Sequence, residues 1–69
     1  MIAARIHIET LAELDELTEC EVKALTKKYA NDLRYDFDFQ VYTVYFDDNN
    51  WLLANLAMPG LDRILRTAQ

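Results

Sequence analysis

The chain has 69 residues, too few for two domains, and a domain of this length buries only roughly 60% of its unfolded surface. Its single cysteine, Cys20, excludes an internal disulfide and fits a reducing compartment, and no Cys/His cluster suits a structural zinc. Seven basic residues scattered among twelve acidic ones leave a net charge of −5, which disfavours direct nucleic-acid binding because a phosphate backbone needs clustered Lys and Arg.

Residues 2–8 alternate, with Ile2, Ala4, Ile6 and Ile8 on one side and Ala3, Arg5 and His7 on the other. Period two predicts a half-buried strand. This opening run is far too short for a signal peptide, and no stretch approaches the ~20 apolar residues of a membrane span. The expectation is a soluble, cytoplasmic chain. Composition (52% hydrophobic, one Gly and one Pro) is that of a folded protein. With a thin core and no disulfide or metal to reinforce it, a surface buried by a partner or a second copy is expected.

Residues 9–33 look like one helix but contain two start signals. Thr10 with Glu13 and Thr18 with Glu21 both have capping-box spacing, and Leu17 and Val22 stand as a hydrophobic staple around the second. Val22, Leu25, Tyr29 and Leu33 recur at helical spacing, with Leu17 off that stripe. The prediction is a short helix near 11–17, a bend at Thr18 and a main helix near 19–33; an unbroken helix is the alternative.

From Asp36 the period changes. Residues 37–46 alternate as an aromatic and β-branched strand, apolar on both faces in its second half. Asp47-Asp48-Asn49-Asn50 reads as a polar turn, and residues 51–58 as a returning strand of a hairpin. Pro59-Gly60 breaks it, and Leu61, Ile64 and Leu65 suggest a short terminal helix. The fold expected over residues 1–69 is one small α+β domain of order β-α-(α)-β-β-α, a three-stranded antiparallel-type sheet packed on a main helix.

Two features stand out. Glu9, Glu13, Asp15, Glu16, Glu19 and Glu21 fall within thirteen residues that hold no Lys or Arg, and Glu9, Glu13 and Glu16 share a helical face. Such a run is ordinarily a solvated face whose acids favour helix N-termini, with Glu13 and Glu21 occupied in caps. The functional alternative is a negative surface, with Glu9, Glu13, Asp15, Glu16 and Glu19 as contact residues, that docks on a basic patch which otherwise holds nucleic acid. The second feature is aromatic: all four Tyr, three Phe and the single Trp lie between Tyr29 and Trp51. Half of them belong in a core. If one helix layer covers only one face of the hairpin, Tyr42, Tyr45 and Trp51 are candidates for a partner or dimer surface; if short helices wrap the second face, they are not.

Metal and catalytic signals are weak. Asp47-Asp48-Asn49-Asn50 lacks the spacing and glycine of an EF-hand, and Glu9, Glu13 and Glu16 with His7 lack the further ligands of a carboxylate-bridged pair. His7 reads as an exposed strand residue, and Cys20, with acidic sequence neighbours, lacks the basic surroundings that activate a thiol. No catalytic residue, metal or cofactor is expected.

The run Tyr45-Phe46-Asp47-Asp48-Asn49-Asn50-Trp51-Leu52-Leu53, read as strand, turn, strand in a short acidic chain, resembles accessory proteins of phages and mobile elements, anti-CRISPR proteins among them. The resemblance implies an inhibitor that occludes a host nucleoprotein machine, in some cases by covering its nucleic-acid-binding surface. The β-α-β-β-α order is also similar to that of the damage-inducible modulator of RecA filaments, another acidic protein, although here the acids gather in the first helical segment. The expected function is a non-catalytic inhibitor or modulator, acting in the host cytoplasm if phage-encoded, whose partner is a host protein or nucleoprotein complex with a basic surface. No direct nucleic-acid or membrane contact is expected. The alternative is a homodimeric structural or regulatory component.

Overall fold

The computed structural model describes residues 1–39, 41–64 and 66–68, the last three through their backbone alone. Alternation produces the first element as expected. Ile2–His7 is strand β1, with Ala4 and Ile6 fully buried and Arg5 exposed. Ile8 then enters helix α1 (Ile8–Asp15) instead of continuing the strand. His7 causes the switch: its Nδ1 accepts the Thr10 N–H at 3.3 Å and pairs with the Thr10 hydroxyl at 3.0 Å. The helix is thus capped at His7, not by the expected pair Thr10 and Glu13.

The bend at Thr18 is present. Glu16 takes a left-handed conformation (φ 55°), Leu17 N–H returns to the Ala12 carbonyl at 2.9 Å, and α1 closes. Helix α2 (Glu19–Tyr29) restarts with a complete capping box, Thr18 N–H to Glu21 Oε1 at 3.0 Å and Glu21 N–H to Thr18 Oγ1 at 3.1 Å. It stops four residues short of the expected end. Ala30 turns extended, and Leu33 joins strand β2 (Asp32–Asp36) opposite Val44 of strand β3 (Val41–Phe46). The hairpin therefore turns at residues 37–39, where Asp36 Oδ1 accepts the N–H groups of Asp38 and Phe39. Gln40, part of the expected long strand, lies outside the described residues.

The largest correction concerns residues 47–58. Asp47 is not the first residue of a hairpin turn but the N-cap of helix α3 (Asp48–Ala57), its Oδ1 accepting Asn50 N–H at 2.7 Å. Trp51, Ala54 and Met58, at i, i+3 and i+7, are the buried face of that segment. Leu, Ala and Met are good helix formers, and residues 52–58 hold no β-branched residue. A 3-10 helix (Pro59–Arg63) follows, with Leu61 buried, where an α-helix was expected; Leu65, assigned to it, lies outside the described residues.

The architecture is α+β, in the order β-α-α-β-β-α, around an antiparallel sheet β2-β3-β1. A fourth strand, β4 (Arg66–Ala68), pairs antiparallel with β1, so the sheet order is β2-β3-β1-β4. That connectivity is the split β-α-β, ferredoxin-like arrangement. Register places Ile2, Ala4 and Ile6 beside Phe46, Val44 and Tyr42 on one face, which packs on Leu11, Val22, Trp51, Ala54, Met58 and Leu61. The other face carries Ala3, Arg5, Val41, Thr43, Tyr45 and Arg34, none of which belongs to the core cluster.

Candidate functional site

The acidic run folds into α1, the Glu16 turn and the start of α2, so its carboxylates separate by role. Glu21 is held in the capping box; the Thr18 backbone N–H, then the Thr18 hydroxyl, hold its carboxyl below the ordinary value of 4.5. Asp15 is half-buried, and its Oδ1 accepts Gly60 N–H at 2.8 Å, tying α1 to the 3-10 helix. Glu9, Glu13, Glu16 and Glu19 are exposed, and among the described residues their carboxylates have no hydrogen-bond or ion-pair partner. Four of the five expected acidic contact residues are thus available, and Asp15 serves structure instead. Glu16, beyond the end of α1, leaves the helical face it was expected to share with Glu9 and Glu13.

The acidic and aromatic segments meet in one place. Glu9 from the first turn of α1 and Glu19 from the first turn of α2, ten positions apart in sequence, line one open cleft of about 280 Å³ with Tyr42 of β3. His7, Ile8, Lys23 and Tyr35 complete its walls. Tyr35 and Tyr42 are directly opposite across the β2–β3 ladder, their ring centroids 4.9 Å apart and tilted by 52°. Phe37 meets Tyr35 edge-on at 4.8 Å and remains exposed at the hairpin tip with Phe39.

The other two aromatic candidates part from this site. Tyr45 is half-buried on the opposite, helix-free face of the sheet. Trp51 is 7% exposed and packs against Phe46 with ring centroids 5.5 Å apart, so it belongs to the core and not to a partner surface. The helices do leave one sheet face uncovered, but Trp51 is not on it.

No protein-family model, curated protein or solved structure gives a significant match to the chain. The segment from Tyr45 to Leu53 that carried the likeness to phage accessory proteins is a strand end, a helix cap and the first turn and a half of α3, not strand, turn, strand. Among the described residues no group of three or more His, Cys, Asp or Glu is placed to hold a metal ion, and no helix is long and apolar enough to cross a membrane.

Sequence reasoning missed His7, Lys23 and Tyr35 as cleft residues. Lys23 lies at i+4 from Glu19, a spacing that puts both on one helix face, and this signal was present. His7 was hidden because its capping role needs the strand to end at that residue. Tyr35 was hidden because the main helix was extended almost to it.

Proposed function

We propose that the chain is a non-catalytic protein-binding module, an inhibitor or modulator that lays the acidic α1–α2 edge and the adjoining tyrosine cleft on a basic surface of a partner protein. One observation carries this reading: Glu9, Glu13, Glu16 and Glu19 are exposed without an ion pair among the described residues, and Glu9 and Glu19 line the cleft walled by Tyr35, Tyr42 and Lys23. The α1 and α2 N-termini offset part of the charge of Glu9 and Glu19, so Glu13 and Glu16 supply the larger share of the outward field. Tyrosines give such a surface rigid, amphipathic area at small entropic cost. His7 spends its Nδ1 lone pair on a helix cap, which also favours a non-catalytic reading.

The test uses Glu13→Lys/Glu16→Lys as bait beside the natural chain in capture from its host cells, read by mass spectrometry. A partner that is retained by the natural chain, lost with the variant and displaced by added nucleic acid supports the reading. A partner held equally by both baits overturns the electrostatic part of it.

A further inference from the structure

We infer that the outward face of α3 is a contact between two copies of this chain. Leu52, Leu53 and Leu56 are 65%, 41% and 80% exposed on a helix whose opposite side is buried through Trp51 and Ala54. Leu52 and Leu56 are one turn apart, and Leu53 widens the stripe. Three exposed leucines on ten residues form an apolar patch of the kind that marks association.

Charge decides the occupant. A two-fold interface is isologous, so each patch must complement itself. On a chain of net charge −5, joining two α1 surfaces would bring Glu9 and Glu13 against their own copies. The outward face of α3 has no Lys or Arg, and its one acid, Asp48, stands at the N-terminal end. Two such helices crossing antiparallel meet at Leu52 and Leu53, the middle of the helix, and keep the two Asp48 carboxylates at opposite ends. A parallel crossing would place them together. A basic heterologous partner, by contrast, finds no acidic residue on the helix itself beyond Asp48.

Area sets the strength. A ten-residue helix is about 15 Å long, and one crossing buries well under the roughly 800 Å² per partner of a standard stable interface. The dimer is therefore weak and concentration-dependent. It leaves the acidic edge and the tyrosine cleft free, so it does not depend on the proposed function.

Sedimentation equilibrium of the full chain from about 1 μM to about 1 mM brackets such an affinity. The expected result is a monomer at the low end and a mass approaching twice the monomer at the high end. Leu52→Glu/Leu56→Glu, at exposed positions that keep the circular dichroism of the natural chain, raises the dissociation constant at least about tenfold. A monomer throughout overturns the inference, as does a dimer indifferent to that variant or one dissociated instead by Tyr45→Asp on the open sheet face. Growth beyond the dimer also overturns it, since an isologous contact closes at two copies.

Discussion

The carboxylate of Asp15, at the last position of α1, accepts the backbone N–H of Gly60 at 2.8 Å across 45 residues of sequence. Gly60 needs no unusual backbone angle; it is required by closeness. A Cβ there would lie 2.7 Å from Asp15 Oδ1 and 3.0 Å from Leu11 Cδ1. Gly60→Ala must push back the carboxylate and a buried leucine together, and should cost about 1–3 kcal/mol in urea denaturation. Asp15→Ala removes the same bond and the same obstacle. The double variant should thus lose less than the sum of the two, and strict additivity would show that the contact does not couple the elements.

The parts of the fold that were legible are those in which local chemistry and tertiary demand agree. The β1 alternation, the Thr18–Glu21 box and the α1/α2 division needed only spacing and cap residues. The failures share one cause. Asp47-Asp48-Asn49-Asn50 is equally good as a turn and as a helix start, and only the burial of Trp51, Ala54 and Met58 together decides for the helix. Likewise Phe37 and Phe39 continue a strand period through what Asp36 folds into a turn. At the site, the meeting of acids and aromatics was readable from their concentration in two segments. The identity of the cleft residues was not, because Glu9 and Glu19 are brought together by the turn at Glu16, whose angle no residue pattern specifies.

Trp51 is a candidate contact residue only if it lies on an uncovered hairpin face, and its burial decides against that and sets what substitution should do. Trp51→Ala removes a ring packed on Phe46 and should cost about 3–5 kcal/mol. A chain of 69 residues has only roughly 3–10 kcal/mol of total stability, so the variant should lose a large share of it and melt at a clearly lower temperature by circular dichroism. A Trp51→Ala chain that melts at the same temperature as the natural one would show that the ring does not hold the core together.

Glu16 is the one non-glycine residue with positive φ among the described residues, closing α1 where glycine is ordinarily favoured. Glu16→Gly relieves the Cβ penalty of that conformation, and should raise stability by about 0.5–1 kcal/mol in denaturant. A glutamate at this position fits the binding role proposed for its carboxylate. The same variant should therefore bind the partner more weakly while unfolding at higher denaturant.

The capping box makes the start of α2 pH-dependent with a defined sign. Glu21 has a lowered carboxyl pKa in the folded chain, so it takes up its proton at higher pH in the unfolded chain than in the folded one. Its contribution is then complete above the unfolded value, near 4.5, and is lost as pH falls through the lower folded value. Glu21→Gln keeps an acceptor for Thr18 N–H but cannot titrate. The melting temperature of the natural chain should exceed that of the variant at neutral pH, and the gap should close on acidification below 4.5. A gap that stays constant to acid would remove the charge from the account of this cap.

Glu13 separates binding from folding most cleanly, because the two should respond in opposite directions. It lies in the last turn of α1, which carries no basic residue, and its carboxylate is exposed. A negative charge at a helix C-terminus opposes the macrodipole and a positive one favours it, by about 0.3–1 kcal/mol. Glu13→Lys should therefore raise the melting temperature slightly. In the same variant the outward field of the acidic edge loses one negative charge and gains a positive one, so association with a basic partner should slow, most visibly at low salt. Stopped-flow association at two ionic strengths with parallel thermal melts reads both effects. If the variant is more stable and binds at an unchanged rate, Glu13 is only a solvated glutamate and the acidic edge is not the docking surface.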